Sequence, residues 1–439
     1  MRKALLVSYY FPPSGAIGAQ RAGRLARLLP DFGYQIDVVC ASLIRPPERE
    51  EVSQIHTVPD SSEVLRVETP WVLGRDPYRP PVGGNLSRSA SWKVRAYAEW
   101  LFLTHDWSWK WGAAALRQAG SSLESKGYDL LIVDAPPFPA VIPFIRSARK
   151  AGVPTVLDLR DLWGREDESH HPPWWPLSPR LRRIRWSLRL RDEAVRAAAH
   201  VVLTSPDLVE VMRSRFPDLA HSHFSFIPNA YETVDSVPAS TGVPLNPDHL
   251  LIVYTGSLAY GRGEQAKRFI RGMREFRRLG MGNVELIVAG AGAEGLMETA
   301  ESEGIADGVE IHGWLDRDEA VELQRAAGAL LLLQPTSTLE ARVAIPGKLF
   351  EYMARRRPIL AMVGSGPAGE IIREHGLGVV PSGEGQRPLA EALGELAEQI
   401  RAAPYLPAPP EMFSERSTVA EFARVLDRVM ARGSEAGRI

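Results

Sequence analysis

The chain has 439 residues, more than one hydrophobic core usually supports, so two domains are expected. With 45% hydrophobic and 24% charged residues it has the composition of a folded globular protein rather than a disordered or fibrous one. Lys and Arg number 52 against 53 Asp and Glu, a balance that leaves no global field to recruit nucleic acid or an anionic membrane. The single cysteine, Cys40, rules out a disulfide framework and, within the apolar run IDVVCA, reads as a buried thiol.

The opening MRKALLVSYYF has the charged start of a signal peptide, but its apolar run is short and lacks a small-residue cleavage site, so it reads as a first strand. Short apolar runs then alternate with helical patterns, the signature of parallel βαβ units and an α/β fold. Strands are expected at Ala4–Phe11, Gln35–Ala41, Asp129–Asp134, Thr155–Leu159 and His200–Thr204, with helices such as Ala19–Leu29 and Val141–Lys150 between them. A Pro-, Ser- and Thr-containing stretch, roughly 231–247, reads as a linker. A second series follows, with strands at Leu250–Thr255, Val284–Ala289, Val309–His312, Ala329–Leu333, Pro358–Met362 and Gly378–Val380. Two long irregular connections, about 44–112 and 163–191, interrupt the first series, and such connections are usually functional or mobile. No stretch approaches the roughly 18–20 apolar residues that cross a bilayer, so a cytoplasmic protein, peripheral at most, is expected.

Three loops carry chemistry. After the first strand, Gly15 and Gly18 in PPSGAIGAQR lead into an amphipathic helix, where close backbone approach and unpaired helix N–H groups suit a phosphate; a purely structural turn fits equally well. The second series opens in the same way, with Gly256, Ser257 and Arg262 in GSLAYGRG. Arg262 can clamp a diphosphate through paired N–H groups or stand on the surface as an ordinary arginine. In AIPGKLFEYMA a helix begins near Lys348. Leu349, Phe350 and Met353 face the core, and Lys348 and Glu351, three apart, share another face. A carboxylate there accepts two sugar hydroxyls and an ammonium meets phosphate, unless Glu351 only supports the first helical turn.

These stretches, together with VDAPPFP, LDLRDLWG, FIPNAYE, IVAGAG and HGW, resemble in order and spacing the retaining family 4 glycosyltransferases of GT-B fold. Within that family the set is most similar to bacterial enzymes of surface-polysaccharide and glycoconjugate biosynthesis. The resemblance implies two Rossmann-like doubly wound domains facing a central cleft: 1–230 on the acceptor side and 231–415 for a nucleotide-sugar donor, with a last helix at 416–439 returning to the first domain. It implies donor contacts at Gly15, Gly18, Gly256, Ser257, Arg262, Gly290, Trp314, Gly347, Lys348 and Glu351, the last on the ribose. It also implies a sugar, lipid-linked or small-molecule hydroxyl acceptor. The family often has Arg where Ser257 stands and an earlier Glu where Val343 stands, so the paired-glutamate motif is incomplete and Lys348 can replace part of the missing charge. Where many members place a His, this chain has Asp134, and Asp161 ends the next strand. Either is a candidate catalytic carboxylate, with capping as the plain alternative.

Asp316-Arg317-Asp318 has the letters of a metal motif but precedes a helix, where acidic caps are routine, so no metal or other cofactor is expected. Arg180–Arg191 holds six Arg among apolar residues, with Leu181, Ile184, Leu188 and Val195 on one stripe; it reads either as a membrane-contacting helix or as a solvated basic face. Trp92, Trp100, Trp107, Trp109 and Trp111 read as core packing, an acceptor pocket or a bilayer-interface cluster. Two other readings share the architecture, a nucleotide-sugar 2-epimerase and a catalytically degenerate partner subunit. A Rossmann dehydrogenase is disfavoured because the first loop lacks Gly-x-Gly-x-x-Gly.

Overall fold

The structure is a computed structural model that describes residues 1–14, 17–42, 62–69, 107–119, 127–164, 179–232, 249–259 and 261–436. It divides into two compact units, Met1–Leu203 with Val211–Ile227 and Val419–Ile439, and Thr204–Glu210 with Pro228–Thr418.

The first unit holds seven parallel strands: β1 (Arg2–Ser8), β2 (Tyr34–Ala41), β3 (Val64–Val67), β4 (Leu130–Ala135), β5 (Thr155–Leu159), β6 (His200–Leu203) and β7 (Phe224–Phe226), ordered β3-β2-β1-β4-β5-β6-β7. Runs such as LLIVDA in β4 are buried throughout, as parallel strands covered on both faces require. β1 ends at Ser8 rather than at Phe11. Beyond it the prolines at 12 and 13 have no N–H for a ladder. β3 and β7 were not expected from the sequence. Both are edge strands of three or four residues, too short to display a period.

The last helix, Glu415–Ala436, buries Val419, Phe422, Ala423, Val425, Leu426 and Val429 in one core cluster with Ala4, Leu6 and Ile36. Its Asp427 accepts from Tyr34 Oη at 2.7 Å. Beside it, His200 on β6 shares a 2.8 Å hydrogen bond with Ser225 Oγ on β7. Burial, then His223, Arg428 and Arg432, push the His200 imidazole down to about 4.

The second unit has six parallel strands, β8 (His249–Thr255), β9 (Asn283–Ala289), β10 (Val309–His312), β11 (Ala329–Leu333), β12 (Ile359–Met362) and β13 (Gly378–Val379), ordered β10-β9-β8-β11-β12-β13. The helices Arg262–Arg278 and Gln386–Ala402 cover it with Phe269, Met273, Phe276, Leu389, Leu393 and Leu396. In both sheets the strand order reverses beside the first strand of the series, between β1 and β4 and between β8 and β11. Open α/β sheets take ligands outside the carboxyl ends of strands at such a reversal.

Candidate active site

At the reversal of the second sheet, β8 runs out at Thr255 into Gly256, whose φ of +132° disfavours any side chain. A Cβ there would stand 2.8 Å from Lys348 Nζ, so Lys348 lies directly across this glycine. Gly290, which follows β9 with φ +142°, approaches the same loop; a Cβ on it would lie 2.6 Å from the carbonyl carbon of Gly256. Backbone hydrogen bonds from Gly256 N to Ala289 O (2.7 Å) and from Leu258 N to Ala291 O (2.8 Å) close the two loops onto each other. Gly290 N in turn donates to Gly313 O, next to Trp314, which follows β10 and is 52% exposed.

Pro346 and Gly347 start the helix Gly347–Arg355, which anchors Leu349, Phe350 and Met353 in the core as its sequence pattern requires. The opposite face presents Lys348 and Glu351, with Nζ 3.9 Å from Oε2 and side chains 25% and 41% exposed. Glu351 Oε1 accepts from Gln324 Nε2 at 2.7 Å, and the same amide nitrogen donates to Thr255 Oγ1 at 2.8 Å. Gln324, on the helix Arg317–Ala326, had no place in the sequence reading; its only sequence signal is an amide on the inner side of a charged helix. Val343, at the position of the family's earlier Glu, is buried at the end of the short helix Leu339–Val343.

Arg262 is the first residue of the 17-residue helix Arg262–Arg278, after Gly261 in the left-handed region, and its Nη1 donates to Ala259 O at 3.3 Å. Ser257 Oγ accepts from Ala259 N at 3.2 Å, which ties it to its own turn. Asp316 is the N-cap of its helix in a reciprocal capping box. It accepts from Glu319 N at 2.9 Å while Asp316 N donates to Glu319 Oε2 at 2.9 Å.

The first sheet's reversal is built differently. Asp134, next to last in β4, has 1% of its surface exposed and both oxygens taken, Oδ2 by Ser8 Oγ and Oδ1 by Arg160 Nε, each at 2.6 Å. Burial, reinforced by Asp158, pushes the Asp134 carboxyl above its usual range against the pull of Arg160 and Ser8. Arg160 also donates to Pro136 O at 3.0 Å and lies against Gly18, where a Cβ would be 2.6 Å from Nη1. Asp158 forms a two-pronged buried pair with Arg21, at 2.7 and 2.9 Å. Asp161 is half-buried just beyond β5, and burial raises its carboxyl against the opposing charge of Arg160. Gly15 lies outside the described residues.

With this geometry in place, two sequence families match the chain: "Glycosyl transferase 4-like domain" over residues 18–230 and "Glycosyl transferases group 1" over 249–399. The chain belongs to the family 4 glycosyltransferases. Among curated proteins none matches this glycosyltransferase by sequence. Solved GT-B structures share its fold. The lipopolysaccharide outer core galactosyltransferase WaaB is 14% identical with a TM-score of 0.57, over 98% of this chain and 99% of that one. The glycosyltransferase WaaG, involved in lipopolysaccharide biosynthesis, is 14% identical with a TM-score of 0.55, over 99% and 98%. A putative UDP-N-acetylglucosamine 2-epimerase from Listeria monocytogenes is 12% identical with a TM-score of 0.54, over 99% and 97%.

In the glycosyltransferase the basic segment lies on the helix Pro179–Ala197. Val195 is buried, Ile184 and Leu188 are half-buried, and Arg185 and Arg189 are exposed. Ser187 Oγ accepts from Trp163 Nε1 at 3.1 Å. The side chains of 180–183 lie outside the described residues, as do Trp92, Trp100, the Trp107 side chain and 233–248 of the linker. Trp111 is fully buried and donates to Val67 O at 3.2 Å, while Trp109 meets Trp186 edge-on at 5.9 Å, so both belong to packing. Among the described residues, no helix is long and apolar enough to cross a membrane, and no group of three or more His, Cys, Asp or Glu is placed to hold a metal.

Proposed function

We propose that this glycosyltransferase moves a sugar from a nucleoside-diphosphate-sugar donor to a hydroxyl acceptor with retention of anomeric configuration, in polysaccharide or glycoconjugate biosynthesis. The observation that carries the reading is the placement of Lys348 across Gly256, beside a half-exposed Glu351, at the strand-order reversal of the second sheet. In this reading Glu351 accepts the ribose hydroxyls. Lys348 and Arg262 offset the diphosphate charge together with the N–H groups of the helix Arg262–Arg278, without a metal ion. Gly256, Gly290 and Gly347 let backbone approach the ligand, Ser257 lines the same turn, and the exposed Trp314 offers a face to the base.

On the acceptor side, Gly15 and Gly18 are assigned to the donor phosphates and sugar, and Asp161 to the acceptor. Asp134, with both oxygens engaged, holds Arg160 in place rather than touching substrate. The leaving phosphate takes the acceptor proton on the same face, so no protein nucleophile is needed and catalysis rests on positioning and on stabilising diphosphate charge. The name of WaaB favours a saccharide acceptor, free or lipid-linked. The enzyme would then work in the cytoplasm, with Arg185 and Arg189 as peripheral contacts to anionic lipid.

Screening sugar nucleotides for thermal stabilisation finds the donor, since a ligand at about 100 times its dissociation constant adds about 2.7 kcal/mol. Incubation with saccharide acceptors and NMR of the product then test the reaction. A glycoside with the donor's anomeric configuration supports the proposal. An inverted product refutes retention, an epimerised sugar nucleotide without glycoside makes the protein an epimerase, and no binding at all makes it a degenerate subunit.

A further inference from the structure

Gln324 joins three elements of the second unit. It is fully buried on the helix Arg317–Ala326, and its one amide nitrogen reaches Thr255 Oγ1 at the end of β8 and Glu351 Oε1 on the helix Gly347–Arg355. Both amide hydrogens are thereby committed. The carbonyl oxygen of the same side chain, Oε1, is buried with no hydrogen-bond partner among the described residues. Turning the amide over would set that oxygen against a carboxylate oxygen 2.7 Å away, acceptor against acceptor, so Glu351 fixes which way the amide points.

An apolar side chain of the same shape would fill the space between helix and sheet and forfeit, on that side, only the hydrogen bond to Thr255 Oγ1. What an apolar side chain cannot do is hold a carboxylate. We infer that Gln324 is a positioning residue that fixes the Glu351 carboxylate through Oε1, leaving Oε2 aimed beside Lys348 as the acceptor for a nucleoside diphosphate's ribose hydroxyls. The inference rests on the ribose role given to Glu351 above. Fixing the carboxylate beforehand removes part of the ordering cost that a ligand otherwise meets on binding.

The test titrates UDP, GDP and ADP separately into purified full-length protein by calorimetry, and carries forward the tightest. Gln324→Met is expected to weaken that diphosphate roughly tenfold, the loss set by one hydrogen bond to a charged group, with a modest fall in Tm because Thr255 Oγ1 loses its donor. A purely structural glutamine gives the lower Tm with unchanged affinity, and that result overturns the inference. Glu351→Gln is measured alongside. If it binds as wild type does, or if no diphosphate binds the wild type, the ribose reading itself falls; if it weakens binding while Gln324→Met does not, only the inference about Gln324 falls. The double variant is expected to bind no more weakly than Glu351→Gln alone, because Gln324 acts through Glu351, and multiplying losses would count against it. Gln324→Asn, whose amide is one methylene short of Glu351, carries the same comparison if Gln324→Met does not fold.

Discussion

The carboxyl edges of the two sheets are built on one plan and used in opposite ways. Beyond β1, β4 and β5 the charges are satisfied by one another: Arg21 grips Asp158, Arg160 grips Asp134, and all four are nearly buried. Beyond β8 and β9 the corresponding ground is glycine. The charges nearest it, Lys348 and Glu351, are partly exposed and stand 3.9 Å apart, too far for a hydrogen bond. A buried, paired charge holds a loop in place, whereas a half-exposed charge over bare backbone keeps its capacity for a ligand. The same βαβ topology therefore supplies rigidity at one edge and, under the proposed function, recognition at the other.

The sharpest way to break this contrast is Asp158→Ala, which leaves the Arg21 guanidinium buried without its carboxylate. Removing one member of a buried pair costs about 3–5 kcal/mol, so the first unit should melt well before the second. A single unshifted transition by calorimetry would contradict the assignment.

Acid separates the units next. The His200 imidazole is pushed down to about 4 from an ordinary 6.5, so between these values the unfolded chain binds a proton that the folded unit refuses. Stability from this group is present above pH 6.5 and is lost as pH falls towards 4, by at most about 3 kcal/mol. Urea midpoints should fall over that window in the wild type and less steeply in His200→Gln; parallel slopes would remove His200 as the cause.

At the second edge the expected losses are functional. Arg262→Ala and Lys348→Ala should each reduce transfer at least tenfold, about 1.4 kcal/mol of transition-state stabilisation, at nearly unchanged Tm. Acting on one diphosphate, they should fall short of multiplying in the double variant. Full activity in Lys348→Ala would return that residue to an ordinary helix start.

The smallest effect lies outside both edges. Arg185 and Arg189 should each add about 1 kcal/mol to binding of anionic vesicles at low salt. Replacing both with Gln should shift co-sedimentation accordingly, and no co-sedimentation of the wild type would refute membrane contact.

What the sequence made legible follows from range. The long apolar runs of β1, β4, β8, β9 and β11 locate both sheets, because parallel strands are buried on both faces, and the i, i+3 spacing places Lys348 and Glu351 on one face. β3 and β7 were invisible, since three or four residues at a sheet edge carry no pattern. Equally invisible were Gln324 and the Arg21–Asp158 pair. Their partners lie 27, 69 and 137 residues away, and only the folded chain brings them together.

The helix Glu415–Ala436 adds a constraint of another kind. Phe422, Val425 and Leu426 complete a core whose other walls come from residues between Ala4 and Ile227, yet they are made only after the second unit. The amino-terminal half therefore emerges and waits with an apolar face uncovered while the whole second unit is synthesised. A stop codon just after Thr418 would strip the first unit of that wall while leaving every residue of the second in place.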